Sequence, residues 1–119
     1  MMRTHLAGLA LALALLPGAA VAATAPPTAA DIAAGQHIAF DKALGNCLAC
    51  HVIAGGDQPG NIGPALAGMK AMVPHRKDLY AIIFDEQARN PQTLMPAFGK
   101  NAILTPKQIG QVIDFLYTK

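Results

Sequence analysis

The sequence predicts an all-α domain of three to five helices, and three observations carry that expectation. Near the C-terminus Ile109, Val112, Ile113 and Leu116 recur at i, i+3, i+4 and i+7, the period of one helix face. No segment shows the strict alternation of a half-buried strand. The spacer at residues 54–65, Ala-Gly-Gly-Asp-Gln-Pro-Gly-Asn-Ile-Gly-Pro-Ala, is long and rich in Gly and Pro. Such a stretch wraps something rather than adding a layer.

The first residues do not count toward this domain. Met1-Met2-Arg3-Thr4-His5 is a short positive start, and Leu6 to Leu16 is all Leu and Ala apart from Gly8. Pro17-Gly18 breaks the run, and Ala20-Val21-Ala22 fits a small-residue cleavage site. Residues 1–22 therefore read as a secretory signal peptide, too short in its apolar part to span a bilayer. Residues 23–30 read as a flexible lead-in and residues 31–119 as the domain. Export implies the periplasm. The remaining chain of about 97 residues is one small domain, marginal without a staple. With Arg3 set aside, eight basic side chains face seven acidic ones. Neither a basic stripe nor interleaved aromatic residues point to nucleic acid.

The elements follow in order. Thr28 as N-cap and Asp31 at N3 open a first helix, with Ile32, Gly35, Ile38, Ala39 and Lys42 at helical spacing and Gly45 at its end. Gly35 weakens that helix relative to Ala; close approach of another helix is one reason to keep it. Leu66 to Val73 holds a short helix. Lys77 to Ala88 forms a middle helix with Leu79, Ile82 and Ile83 on one face, stopped by Asn90-Pro91. Thr105-Pro106-Lys107-Gln108 starts the last helix with an N-cap, Pro at N1 and Gln at N3.

The two cysteines of the chain lie in Cys47-Leu48-Ala49-Cys50-His51. A disulfide there would close a very short loop and constrain the unfolded chain little. A redox dithiol would sit in a βαβ pattern that is absent from this sequence. Zinc would lack a fourth ligand, and a histidine next to a cysteine crowds one tetrahedron. Cys-x-x-Cys-His is the attachment motif of c-type haem, and it uses all three residues. Cys47 and Cys50 would tether one covalent haem, and His51 would bind its iron from below.

The other face of the iron is bound by Met69, Met72, Met95, His37 or His75, or is left open. Met95 is favoured. It precedes Pro96, which forbids helix and fixes the backbone beside the sulfur, and Gly99 permits a tight reversal. Met69 and Met72 read as apolar fill. His/Met ligation raises the reduction potential and leaves no vacancy for substrate, so the chemistry is outer-sphere electron transfer. The second ring nitrogen of His51 needs an acceptor, and Asn61-Ile62-Gly63-Pro64 is placed to offer the Pro64 carbonyl.

Three stretches now carry a resemblance: Gly45-Asn46-Cys47-Leu48-Ala49-Cys50-His51; Gly60-Asn61-Ile62-Gly63-Pro64; and Asn90-Pro91-Gln92-Thr93-Leu94-Met95-Pro96-Ala97-Phe98-Gly99-Lys100 followed by Ile103-Leu104-Thr105. From about Ala34 to its end the chain resembles the class I cytochromes c. More closely it resembles the SoxX family of monohaem subunits of the SoxAX sulfur-oxidising complex. The third stretch is the selective one, since every c-type cytochrome shares the haem motif. The resemblance implies a class I fold of helices wrapped around one covalent haem, with His51 and Met95 as iron ligands. It implies a SoxA-like cytochrome partner that carries the active-site cysteine. It implies that the complex joins thiosulfate to a cysteine of a SoxYZ-like carrier, and that this chain passes the electrons to a soluble cytochrome c. The loop from Ile53 to Asn61 is short, so it offers no long insertion for partner contact. Two rival functions stand beside this one: a free-standing periplasmic electron carrier, and a ligand-binding or peroxidase-type haem protein with open iron.

Overall fold

The computed structural model describes residues 24–119. The leader expected at residues 1–22 lies outside them. Within them the chain forms four helices and no strand: α1 (Ala29–Phe40), α2 (Met69–Met72), α3 (Arg76–Asp85) and α4 (Pro106–Leu116). Two 3₁₀ turns, Cys47–Ala49 and Glu86–Ala88, complete the regular structure. None of these helices is long and apolar enough to cross a membrane.

α1 begins with a capping box. The Thr28 hydroxyl accepts from the Asp31 backbone N–H at 3.1 Å and donates to the Asp31 carboxylate at 2.6 Å. That hydroxyl, then the Gln111 amide, holds the Asp31 carboxyl below its ordinary pKa. The helix takes in Ala29 and Ala30, which the sequence division left in the lead-in. It also stops earlier than expected, at Phe40 rather than near Gly45. Asp41 turns extended, and its carboxylate accepts from the Ala43 N–H at 2.7 Å while its carbonyl accepts from Leu44 and Asn46. A side chain that bonds its own neighbours offers the backbone an alternative to helix. Gly45 instead reaches back to the Ile38 carbonyl at 2.9 Å.

α4 is the most buried element, with Ile109, Val112, Ile113, Phe115 and Leu116 all inside. Its Thr105–Gln108 box is complete. Its main partner is α1, from the other end of the domain. The two come together at Gly35: any Cβ there would overlap the Gln111 carbonyl and press on Phe115. Phe40 meets Phe115 edge to face, ring centroids 5.5 Å apart. Gln111 donates to the Asp31 carboxylate at 3.2 Å, across eighty residues of sequence.

α3 runs from Arg76 and gives way to the 3₁₀ turn at Glu86, so the middle helix expected to reach Ala88 is α-helical only to Asp85. Arg76 joins it to α4, pairing with Asp114 and donating to the Gly110 carbonyl at 2.8 Å. α2 is a single turn. The Tyr117 hydroxyl ties it down by donating to the Val73 carbonyl at 2.8 Å, and Lys70 lies 4.4 Å over the Tyr117 ring.

The glycine at the α1–α4 contact yields a test with an unusual sign. Ala is the better helix former by about 1 kcal/mol. Gly35→Ala is nevertheless expected to destabilise the holoprotein by about 1–3 kcal/mol, because the methyl has no room against α4. Guanidinium unfolding measures it; a gain in stability would show that the helices do not meet there.

Candidate functional site

The cysteine motif is folded into a tight turn by its own backbone. Asn46 adopts the left-handed conformation (φ 47°), which Asn tolerates better than most residues. The N–H groups of Cys50 and His51 then both bond to the Cys47 carbonyl, at 3.2 and 2.9 Å. No disulfide joins the two cysteines. Burial pushes the Cys47 thiol up to about 11, so it is no thiolate nucleophile at neutral pH. That agrees poorly with a redox dithiol. Among the described residues, no three His, Cys, Asp or Glu side chains gather to hold a bare metal ion.

The Gly/Pro-rich loop closes over this turn. Gly60 N–H donates to the Leu48 carbonyl at 2.7 Å, Gly63 N–H to Cys50 at 2.8 Å and Leu66 N–H to Val52 at 2.8 Å. The glycines are there for close approach. A Cβ on Gly60 would overlap the Ala49 carbonyl, and one on Gly63 would overlap the His51 ring. With Gly63 flat against it, the imidazole donates from Nδ1 to the Pro64 carbonyl at 2.7 Å. Nδ1 therefore carries the proton, and Nε2 keeps its lone pair.

His51 opens onto a cleft of about 850 Å³. Cys47, Cys50, Gly63 and Pro64 line the same space, and Met95 does too. Leu79, Ile83, Phe98, Val112 and Leu116 supply apolar wall from α3, α4 and the loop between them. Met95 is half-buried, and its N–H donates to the Thr93 hydroxyl at 3.1 Å. Met69 also lines the cleft and is 3 % exposed, as apolar fill should be. Met72, at the end of the one-turn α2, lines the cleft as well and is 56 % exposed. His37 is exposed at the end of α1, 3.7 Å from Asp41. His75 is exposed ahead of α3, and neither histidine lines the cleft.

Two charged cleft residues were not anticipated from sequence. Arg89 Nη1 and the buried Glu86 Oε2 lie 3.4 Å apart on its wall, an ion pair without a hydrogen bond. Nothing in their spacing beyond an ordinary i, i+3 pair marks them. Gly60 and Gly63 could have been found: a glycine-rich loop beside a cofactor motif is where backbone must come close.

Two thiols, one imidazole with a free Nε2 and one thioether on an apolar cleft fit a tethered haem and no common alternative. The fold and this turn together define a c-type cytochrome. The chain belongs to the cytochrome c family, whose model matches residues 32–118. It is a monohaem electron-transfer cytochrome with covalent haem c, and Cys47 and Cys50 with His51 fit the attachment motif.

The particular likeness is to SoxXA from P. pantotrophus. A chain of that crystal structure superposes with a TM-score of 0.65 at 30 % identity, covering 80 % of this chain and 83 % of that one. The protein is thus a SoxX-like cytochrome c. It is also 35 % identical over 77 residues to an uncharacterized lipoprotein of Aquifex aeolicus (strain VF5). That match takes in 61 % of this chain but only 36 % of the relative, so this chain spans about a third of that protein's length.

The Gly63 contact makes a direct prediction. Gly63→Ala should push the His51 ring away from Pro64. In the holoprotein the Nδ1 proton should then exchange with solvent on the order of tenfold faster, the worth of one hydrogen bond. Proton NMR in deuterated buffer reads that rate; an unchanged rate would mean that the loop does not pin the ring.

Proposed function

We propose that this chain is the electron-transfer subunit of a SoxAX-type complex in the periplasm, with His51 Nε2 and Met95 Sδ as the two iron ligands of its haem. The observation that carries this reading is the likeness to SoxXA over four-fifths of the chain at 30 % identity. When bound, the haem supplies one-electron oxidation and reduction at its iron.

The residues of the chain do the rest. Cys47 and Cys50 hold one porphyrin edge through thioethers. The Pro64 carbonyl orients His51 and makes it a stronger donor. The Met95 thioether is soft and neutral and favours the reduced state. Apolar walls exclude water, so little needs to reorganise when charge changes. Arg89, on the cleft wall in the turn after α3, would suit a haem carboxylate.

Neither cysteine is left over for sulfur chemistry, so the substrate-bearing cysteine belongs to a SoxA-like partner. In the complex a sulfur of thiosulfate bonds to the cysteine sulfur of a SoxYZ-like carrier. Two electrons and the thiol proton leave. The electrons pass singly through this chain to a soluble cytochrome c. The leader at residues 1–22 supports export.

Two experiments test the reading. Met95→Ala should abolish the methionine-to-iron absorption band and let the ferrous protein bind carbon monoxide, while Met69→Ala and Met72→Ala keep the parental spectrum. A methionine-ligated spectrum in Met95→Ala would overturn the ligand assignment. Co-expressed with the SoxA-like partner, the chain should purify as a heterodimer whose haem is reduced by thiosulfate only when the SoxYZ-like carrier is present. A strictly monomeric protein, inert with partner, carrier and thiosulfate, would instead be a free-standing carrier.

A further inference from the structure

The loop that carries Met95 is held at its two arms in different ways. On the N-terminal arm every bond is local: Thr93 N–H to the Asn90 carbonyl at 3.0 Å, Gln92 N–H to the Asn90 side chain at 3.1 Å, and Met95 N–H to Thr93. These shape the loop but do not attach it to the rest of the protein. Attachment comes at the C-terminal arm. Gly99 and Lys100 both donate their N–H groups to the Phe84 carbonyl, at 3.1 and 3.2 Å. Gly99 lies so close to the Phe84 ring that a Cβ would overlap it, and Phe84 is stacked on Tyr80. The Lys100 ammonium then reaches Asp85 at 3.0 Å.

This ion pair is hard to explain as a source of stability. Lys100 is largely exposed, and pairs with an exposed partner contribute little. Asp85 is mostly buried, and its second oxygen has no hydrogen-bond partner, which costs free energy. What the pair does is geometric. Between Lys100 and Met95 stand Pro96, with φ fixed, Ala97 and Phe98, both buried, and Gly99, whose N–H is bonded to the Phe84 carbonyl. The Ala97 carbonyl accepts from Asn101, and the Phe98 carbonyl from Ile103 and Leu104. So short and stiff a span carries any shift at residue 100 to residue 95. The ammonium also sits at the C-terminal end of α3, where the helix dipole favours a cation.

We infer that Asp85 and Lys100 form a clasp that positions the Met95 sulfur over the cleft, setting how often that sulfur leaves the iron rather than how stable the fold is. The inference rests on Met95 as a ligand. Leaving is a ligand exchange without electron transfer: neutral imidazole enters the ferric iron's coordination as the neutral thioether departs.

The test uses the ferric holoprotein and imidazole at saturating concentration, where the binding rate is limited by Met95 departure. Asp85→Asn and Lys100→Met should each raise that rate about fivefold, the factor that loss of one ordinary interaction produces. The double variant should rise no further than the faster single one, and Lys100→Arg should restore the parental rate. The guanidinium midpoint of the helices should stay with the parent. Parental rates in both single variants would overturn the clasp. So would faster rates matched by an equal fall in unfolding free energy, the mark of a merely structural pair. Met95→Ala separates the two claims. If it keeps a methionine-ligated spectrum, the ligand assignment fails first. If it loses that spectrum while the clasp variants exchange at the parental rate, only the clasp fails. Should Asp85→Asn not mature, Lys100→Met at the surface still decides.

Discussion

The hydrogen bond from His51 Nδ1 to the Pro64 carbonyl is the constraint on which the site depends. A Cys-x-x-Cys-His turn brings a histidine beneath a tethered porphyrin, but it leaves the ring free to rotate about its side-chain bonds. The Pro64 carbonyl removes that freedom and assigns the tautomer in one contact. The carbonyl is itself held by a loop with three backbone bonds to the motif turn. The bonds from Gly60 and Gly63 need close approaches that a methyl would prevent. The loop that reads as irregular in sequence is thus the most tightly specified part of the site.

The wall that carries Met95 is built on a different plan. Met95 sits on a loop fixed by proline, by buried Ala97 and Phe98, and by the end of α3. The helices behind both walls meet at Gly35, where α1 and α4 pack backbone against backbone. Tethering, ring orientation and the α1–α4 contact come from three separate parts of the chain, and the cleft is what they enclose. For a domain of this size much of the apolar interior is the cleft wall itself, which ties the stability of the fold to what fills it.

Much of this was legible in the residues. α4 announced itself by Thr105, Pro106 and Gln108 and by a stripe that the structure buries almost completely. Thr28 and Asp31 marked the start of α1, because capping chemistry is local and needs no tertiary knowledge. The cofactor was legible because its motif spends two reactive side chains and an imidazole on five residues. The end of α1 was not, since the Asp41 side chain diverts the backbone before Gly45 can. The Glu86–Arg89 pair and the Asp85–Lys100 pair were invisible, as each depends on where α3 changes to a tighter turn.

The α1–α4 contact spans eighty residues of chain, from Asp31 to Gln111. A polypeptide emerging from its N-terminal end cannot make that contact until nearly all of it has been delivered. During that interval α1 lacks its main partner. Because the terminal helices lie so far apart in the chain, the domain cannot complete itself until the stretch that holds both sulfurs has long been delivered.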